Sequence, residues 1–295
     1  MSQARRDPPG IIANNSRLAG QLFDLGDLRR RTRAFNEASI RRLCANAYLG
    51  GDTSLCRVLG RYKMFVDTTD IGLSSHLLID GYWELWVTEA IMGLVGEGMV
   101  AVDVGANLGY FTLLLADLVG ASGHVHAFEP NPAIRQRLAQ SVAVNGFGAR
   151  TTLHGEPLSG AGGERVRLIV PAGEPKNAHI LPEADAGEAG LTLLTTTLDD
   201  VIGDGPVDVI KIDAEGAEEG IWQGMRGILG RRRPLAIVLE FNPARYADPA
   251  AFLGEIGSHG FAMAAIDLSA GVVPVTAETI LARDSGEDWM LLLAR

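Results

Sequence analysis

A run of apolar residues that ends in an acid and a glycine-rich turn constrains this chain most. Residues 99–109 read MVAVDVGANLG, and a second short apolar run ends at Glu129, 20 residues beyond Gly109. A strand that ends at Asp103, a turn, a helix and a second strand that ends in an acid form the plan of a nucleoside-binding βαβ unit. In such a unit the backbone of the turn lies against the ligand, and the second acid accepts hydrogen bonds from ribose hydroxyls.

The asparagine in the middle of this turn narrows the choice of nucleoside. A dinucleotide fingerprint has glycine at that position, so that the backbone can approach a pyrophosphate. The side chain of Asn107 would crowd a diphosphate, and Asp103 would repel one but can help to hold a cationic amino group. S-adenosylmethionine carries a ribose, an amino group and a sulfonium but no phosphate. The turn therefore favours S-adenosylmethionine over a nicotinamide or flavin dinucleotide.

The rest of the chain alternates predicted strands with predicted helices, which indicates an α/β fold. Helices between successive strands predict a mostly parallel sheet with helices on both faces. The last two strands have no predicted helix between them, so one of them should run antiparallel. Seven strands in a Rossmann-like sheet are the usual architecture of class I methyltransferases. We expect these strands at 99–103, 123–128, 150–154, 207–213, 235–241, 261–266 and 289–293.

We divide the chain near residue 80. Residues 1–80 are predicted as an N-terminal helical extension that covers the substrate. Apolar residues recur at helical spacing from about residue 18 to 59, which predicts two or three helices, and 61–67 reads as a short strand. A further helix is expected from about 79 to 95. Residues 81–295 form the cofactor-binding domain.

The core of that domain spans 99–241 and contains an insertion at 160–197. We predict a hairpin there, with arms at 164–170 and 191–196. The segment between the arms, 171–190, is rich in Pro, Gly and Glu and is predicted as a loop.

A second constellation of charged residues, Lys211, Asp213 and Glu215, lies at the end of the strand at 207–213. In an open parallel sheet, ligands lie outside the carboxyl ends of the strands. We therefore expect Asp213 to lie close to the same ligand that Asp103 contacts. These side chains could orient the methionine moiety, position an acceptor hydroxyl or deprotonate it. A purely structural explanation is that Glu215 caps the next helix and Lys211 pairs with a neighbouring acid. The sequence does not choose among these roles.

Several ordered motifs resemble the FkbM family of S-adenosylmethionine-dependent methyltransferases. They are VDVGANLGY at 102–110, AFEPNP at 127–132, NG at 145–146, TLDD at 197–200 and IKIDAEGAE at 210–218. The resemblance covers about residues 80–241. It implies methyl transfer, most often to a hydroxyl oxygen of a sugar, a glycan or a polyketide. It does not extend to residues 1–60, so it does not identify the acceptor.

Two sets of residues are candidates for the site. The predicted cofactor-binding residues are Asp103, Gly105, Ala106, Asn107, Gly109, Glu129, Pro130, Glu156 and Asp213, and the catalytic candidates are Lys211, Asp213, Glu215 and His76. Glu156 follows the strand at 150–154 and is a candidate for the adenine amino group or, equally, an exposed loop residue. His76 is a candidate general base, although a half-buried structural histidine is the commoner situation.

No metal site is predicted from residue spacing. The six histidines show no paired metal spacing, which argues against zinc. Asp103, Glu129, Asp199, Asp200 and Asp213 could supply oxygen ligands to Mg²⁺, which some O-methyltransferases use to acidify a hydroxyl, but nothing in their spacing demands a metal.

Net charge and cysteine content limit the partners and the cellular compartment that we expect for this protein. A net charge of −10 and a pI near 5.1 argue against a general binder of nucleic acid or of an anionic membrane. The two cysteines show no disulfide framework, and neither a secretory signal nor a membrane-spanning stretch is evident. We therefore expect a cytoplasmic protein. The oligomeric state is open, and a homodimer is compatible with the sequence.

The sequence therefore favours a methyltransferase that uses S-adenosylmethionine and acts on a hydroxyl of a sugar, glycan or secondary metabolite. Two alternatives stay open at this point. One is a nicotinamide-dependent oxidoreductase with Glu129 on the ribose, and the other is a cofactor-binding module without acceptor chemistry.

Overall fold

The computed structural model describes residues 21–171, 178–186, 190–283 and 286–295. Its N-terminal region combines helices with a small sheet. In chain order the elements are α1 (Asp27–Arg30), α2 (Arg33–Leu43), β1 (Asn46–Gly50), β2 (Thr53–Val58), β3 (Tyr62–Asp67) and α3 (Leu73–Ile79). The three strands are antiparallel in the order β1-β2-β3.

This region is only partly helical, so the prediction of helices up to residue 59 is wrong beyond α2. Side chains of β2 alternate between buried and half-buried, the period of a strand with one covered face. Gly50 and Gly51 have φ values of +96° and +55°, and they form the tight turn between β1 and β2. Residues 1–20, where the first predicted helix begins, lie outside the described residues.

The core elements follow in the expected order. They are α4 (Leu85–Leu94), β4 (Val100–Val104), α5 (Tyr110–Leu118), β5 (His124–Phe128), α6 (Pro132–Val144), β6 (Thr151–His154), β7 (Arg165–Ile169), β8 (His179–Pro182), α7 (Glu183–Ala186), β9 (Leu191–Leu194), α8 (Leu198–Ile202), β10 (Val209–Ile212), α9 (Glu218–Gln223), α10 (Arg226–Gly230), β11 (Ala236–Phe241), α11 (Pro249–Ser258), β12 (Ala262–Asp267), β13 (Gly271–Pro274), α12 (Ala277–Ala282) and β14 (Trp289–Ala294). The helix predicted from residue 79 begins only at Leu85.

The central sheet has the order β13-β12-β14-β11-β10-β4-β5-β6. All seven predicted strands are present, and β13 adds an eighth at one edge. β6, β5, β4, β10 and β11 are parallel, whereas β14 lies antiparallel between β11 and β12. One late strand is therefore antiparallel, as expected, although α12 does lie between β12 and β14. The parallel order places the carboxyl ends of five strands along one edge.

The insertion forms a small antiparallel sheet of its own. The two predicted arms correspond to β7 and β9, which pair with each other. The segment between them is not only a loop, because β8 pairs with the other edge of β7 and α7 follows it. Residues 172–177 and 187–189 of this predicted loop lie outside the described residues.

Side chains alternate between the two faces of the central sheet, and each face has its own apolar core. Val102, Val104, Ile210 and Ile212 pack on one face. Ala101, Val209 and Val238 pack on the other, in a core that continues into the N-terminal region. By the same alternation, Asp103, Lys211 and Glu240 project toward that second face. The proposed division at residue 80 stays a prediction, since both sides of it contribute to this core.

The free edge of β3 lies against α6. The side chain of Asn145 accepts a hydrogen bond from the backbone N–H of Lys63 (3.0 Å) and donates one to its carbonyl (2.6 Å). The hydroxyl of Ser141 accepts a hydrogen bond from the N–H of Phe65 at 3.0 Å. These side chains provide the partners that a neighbouring strand would provide. Among the described residues, no helix is long and apolar enough to cross a membrane.

Candidate active site

A cavity of about 310 Å³ opens at the carboxyl ends of β4, β5, β10 and β11. The described residues that line it with charged side chains are Glu84, Glu129, Glu156, His179, Lys211, Asp213, Glu215, Glu240, Arg245 and Asp288. Gly105, Ala106, Asn107 and Pro130 contribute from the cofactor motif. The two constellations identified in the sequence therefore meet in one cavity.

The glycine turn packs directly against the tip of β10. Gly105 has a φ of +73°, and a Cβ there would lie 1.8 Å from the backbone oxygen of Asp213. Asn107 also has a positive φ, +49°, and its side-chain oxygen accepts a hydrogen bond from the N–H of Leu108 at 2.7 Å. Gly109 (φ +99°) lies beside Leu138 of α6 rather than on the cavity. Of the predicted turn residues, Gly105, Ala106 and Asn107 face the cavity, and Gly109 has a packing role.

Glu129 is a buried carboxylate at the tip of β5, only 6% exposed. Its Oε2 accepts a hydrogen bond from the N–H of Asn107 (2.9 Å), and its Oε1 accepts one from the N–H of Asn131 (2.8 Å). Burial raises the pKa of Glu129 to about 7, against the opposing effect of these two N–H groups. The carboxylate is thus oriented toward the turn and the cavity, where it can accept hydrogen bonds from a diol.

Asp103 is completely buried and does not line the cavity, contrary to the expected contact with an amino group. Its Oδ2 accepts a hydrogen bond from the hydroxyl of Thr112 at 2.6 Å, and its Oδ1 has no hydrogen-bond partner. The reason is its depth in the sheet: Asp103 pairs in register with Lys211, two residues before Asp213, and its short side chain ends beneath α5, beside Thr112. Burial raises the pKa of Asp103, and the ammonium of Lys211 opposes that shift.

Lys211 is the register partner of Asp103 on β10 and is a buried cation of the cavity wall. Its Nζ donates to Asp213 Oδ2 at 2.9 Å and lies 4.9 Å from the ring centre of Phe111. Burial by itself lowers the pKa of Lys211, but the carboxylates of Asp213 and Asp103 raise it to about 12. Lys211 therefore remains charged between two carboxylates.

Beyond Asp213, the cavity wall contains a cluster of which only Glu215 was predicted from the sequence. Arg245 lies 3.2 Å from Glu215, 2.5 Å from Glu240 and 3.4 Å from Asp288, measured between side-chain N and O atoms. Glu240 could have been found, because it is an acid at the end of a predicted strand, as Asp213 is. Arg245 and Asp288 could not, since they reach the cavity from the turn after β11 and from the segment before β14.

Burial raises the pKa of Glu240 to about 8, with Asp213 acting in the same direction and Arg245 opposing it. Burial also raises the pKa of Glu215. Both shifts reflect carboxylates that are removed from water and placed near other acids, with one arginine shared among them.

Glu215 does not cap the next helix, since the start of α9 has no side-chain cap; Glu218, the first residue of α9, instead holds the turn that precedes it. Oε1 of Glu218 accepts hydrogen bonds from the N–H groups of Ala214 (2.9 Å) and Gly216 (3.1 Å), and its Oε2 accepts one from the hydroxyl of Tyr246 (3.0 Å). This leaves Glu215, which has a φ of +52°, free to project toward Arg245 on the cavity wall.

His76 does not lie at the cavity, so the structure does not support it as a general base. Its ring is 54% exposed within α3, and its Nδ1 lies 3.7 Å from Asp80. Another histidine, His179 of the insertion, lines the cavity instead. Glu156 does line it, as predicted for a cofactor contact, and its own carboxylate accepts the N–H of Gly155.

The acids considered for Mg²⁺ are not brought together. Asp199 accepts hydrogen bonds from the N–H groups of Gly227 and Ile228 and so caps the start of α10. Within the described parts of the chain, no group of three or more His, Cys, Asp or Glu side chains could hold a metal ion.

A mostly parallel sheet with helices on both faces, and a cavity built from a glycine turn and strand-tip acids, define a class I methyltransferase fold. The model of the FkbM methyltransferase domain matches residues 103–266, more than half of the chain. The chain therefore belongs to the FkbM methyltransferase family, and its methyl donor is S-adenosylmethionine. This membership excludes the alternative of a nicotinamide-dependent oxidoreductase.

Two solved structures described below share little sequence identity with the chain. No curated protein matches the chain. TYW2 from M. jannaschii in complex with AdoMet is 13% identical, with a TM-score of 0.42, and the match covers 84% of this chain and 88% of that one. A precorrin-6y C5,15-methyltransferase from Geobacter metallireducens is 13% identical, with a TM-score of 0.41, covering 72% and 89%. Such low similarity says nothing about the acceptor of this chain.

Proposed function

We propose that the protein transfers the methyl group of S-adenosylmethionine to a hydroxyl oxygen of a small molecule such as a sugar, a glycan unit or a secondary metabolite. The observation that carries this proposal is the division of the cavity into two parts. The tips of β4, β5 and β6 provide the glycine turn, Glu129 and Glu156, and the tips of β10 and β11 provide a group of carboxylates.

The first part fits S-adenosylmethionine. Glu129 is buried yet lines the cavity, so its carboxylate suits the two ribose hydroxyls, and we assign Glu156, which also lines the cavity, to the adenine amino group. A diphosphate would need glycine where the turn has Asn107, so that the backbone could approach it. The N–H of Asn107 is instead bonded to the carboxylate of Glu129, which would repel a diphosphate.

Lys211 and Asp213 lie next to the turn, between the two parts. A methionine moiety carries one carboxylate and one ammonium, and the Lys211–Asp213 ion pair offers a partner for each. When bound, the cofactor supplies an activated methyl group on its sulfonium. The protein then has to hold an acceptor oxygen in line with that methyl group and to exclude water, and orientation alone can lower the barrier by about 7–11 kcal/mol.

The second part favours a neutral hydroxyl acceptor. Glu215, Glu240 and Asp288 surround Arg245, so the arginine is already neutralised and does not offer a site for an anionic group. Carboxylates accept hydrogen bonds from hydroxyls and can take their proton. An acceptor that carries phosphate or carboxylate would instead be repelled.

The test is transfer of labelled methyl from S-adenosylmethionine into a fractionated metabolite extract. We expect alkali-stable label in neutral carbohydrate or small-molecule fractions, because a methyl ether resists mild alkali. Label in protein, or label released by alkali as methanol from an ester, would contradict methyl transfer to a hydroxyl. Binding of S-adenosylhomocysteine without transfer to any fraction would favour a cofactor-binding module that has no acceptor chemistry.

A further inference from the structure

Glu240 and Asp213 lie side by side at the ends of neighbouring parallel strands. Ile212 of β10 pairs in register with Leu239 of β11, so the next residues, Asp213 and Glu240, are neighbours across the sheet, about 4.8 Å apart in backbone spacing. Both line the cavity. Asp213 lies toward the glycine turn, since it also follows Ile212, which pairs with Val104. Glu240 therefore lies one strand further from the cofactor turn.

The two carboxylates have different partners. Asp213 accepts a hydrogen bond from the ammonium of Lys211, which is a full positive charge buried beside it. Glu240 shares Arg245 with Glu215 and Asp288, so one positive charge serves three acids. The negative charge of Asp213 is accordingly balanced by Lys211, whereas the charge on Glu240 is only partly compensated.

Glu240 is also the less exposed of the two carboxylates. The side chain of Glu240 is 13% exposed, half the 26% of Asp213. The groups that act on Glu240 are Asp213 from β10, Arg245 from the turn after β11 and Asp288 from the segment before β14. Water is largely excluded from Glu240, and a proton placed on it reduces the crowding of negative charge.

We infer that Glu240 is the general base that receives the proton of the acceptor hydroxyl. This inference rests on the proposed function. The acceptor oxygen forms a bond to the methyl carbon while the carbon–sulfur bond breaks and its electron pair stays on sulfur. The hydroxyl proton passes to the carboxylate of Glu240, and the products are the methyl ether and S-adenosylhomocysteine. Asp213, with Lys211, holds the methionine end and takes no proton.

The test needs no acceptor. Sinefungin is an analogue of S-adenosylmethionine that has an amine at the position of the transferred methyl group, and S-adenosylhomocysteine has nothing there. The ratio of their dissociation constants, measured by calorimetry, therefore reports on the group that faces the methyl position. The adenosine and methionine contacts are common to both ligands and cancel in this ratio.

We expect Glu240→Gln to reduce the preference for sinefungin by about tenfold, because a charged hydrogen bond to the amine is lost. Its affinity for S-adenosylhomocysteine should change less than about twofold. At pH 8.5, where Glu240 is largely ionised, Asp213→Asn should weaken both ligands together and leave the ratio unchanged. Glu255→Gln is the matched control, because Glu255 pairs with Arg226 and Gln223 away from the cavity.

The unmodified protein provides a second measurement that does not depend on the folding of a variant. Its preference for sinefungin should rise between pH 6.5 and 8.5, as Glu240 ionises, and Glu240→Asp should retain part of the rise. An unchanged ratio in Glu240→Gln, or a ratio that responds to Asp213→Asn instead, would overturn the assignment. Failure of the unmodified protein to bind either ligand would contradict the proposed function itself, which is a separate outcome.

Discussion

The backbone oxygen of Asp213 occupies the space that a Cβ on Gly105 would need, at 1.8 Å from its ideal position. This contact joins the turn that follows β4 to the tip of β10, and so joins the two parts of the cavity. The turn is held on its other side by the N–H groups of Gly105 and Ala106, which donate to the carbonyl of Phe128. The cofactor turn and the ion pair at Asp213 therefore have a fixed relative position.

Gly105→Ala should both destabilise the protein and disrupt cofactor binding. The added methyl group meets a backbone atom that cannot move aside, and the positive φ is unfavourable for alanine, so we expect a loss of roughly 3–5 kcal/mol in the free energy of unfolding. Denaturant unfolding measures this loss. Gly146→Ala is the matched control, since Gly146 has nearly the same φ (+74°) but nothing within 4 Å of its Cβ position. Equal losses in the two variants would show that the contact with Asp213 is unimportant.

The affinity for S-adenosylhomocysteine should rise with pH through the pKa of Glu129. This pKa is raised to about 7, and the ribose hydroxyls donate to the ionised carboxylate, so binding favours loss of the proton. Affinity should fall by up to about tenfold for each pH unit below 7 and level off above it. Calorimetric titrations between pH 5.5 and 8.5 measure this profile.

The same titrations on Glu129→Gln provide the control. The amide retains one oxygen but faces two N–H donors, so affinity should drop by about 1–3 kcal/mol and the profile should become flat. If the slope below pH 7 persists in this variant, another group is responsible for it.

Lys211→Met should destabilise the protein at neutral pH, because it leaves the carboxylates of Asp103 and Asp213 without their buried cation. The cost expected for breaking a buried pair is about 3–5 kcal/mol. The loss should shrink at acidic pH, since burial raises the pKa of Asp103 and protonation of this carboxylate removes part of the uncompensated charge. Lys63→Met, on the exposed face of β3, should change stability by less than about 0.5 kcal/mol at any pH. A pH-independent loss in Lys211→Met would point to packing instead of charge.

Glu218→Ala should destabilise the 214–218 turn without removing a cavity carboxylate. Three hydrogen bonds end on the carboxylate of Glu218, which is fully buried, so we expect a loss of about 2–4 kcal/mol in thermal or denaturant unfolding. Glu219→Ala, at the adjacent and partly exposed residue, should have little effect. Similar losses in both variants would argue against the role of Glu218 in holding this turn.

The sequence predicted the parallel sheet and the cofactor turn because both leave local patterns. Asp103, Gly105 and Glu129 occur at spacings that a βαβ unit requires, and the apolar runs mark the strands. Even there, Asp103 does not line the cavity, because it pairs in register with Lys211, deeper in the sheet than Asp213, and α5 covers it. The register of neighbouring strands leaves no local signal in the sequence.

Long-range contacts explain what the sequence could not predict. Arg245 reaches Asp288 only because β14 inserts beside β11, a choice of strand order that leaves no local signal. The N-terminal strands were mistaken for helix because their apolar residues do not alternate with polar ones. Leu49 follows Tyr48 and Cys56 follows Leu55, and one of the buried positions of β2 is a serine, Ser54, so the period of two is not visible in the sequence. His76 resembled a catalytic base by its proximity in sequence to the core, but α3 directs it outward.

The pairing of Asn145 with Lys63 has a consequence for how chains of this protein meet one another. Exposed strand edges attract other strands, and a small sheet usually has two of them. On β3 the outward N–H groups of Lys63 and Phe65 are already occupied by side chains of α6. On β1 all five residues are exposed, among them Tyr48 and Leu49. The small sheet can therefore gain a further strand on one side only.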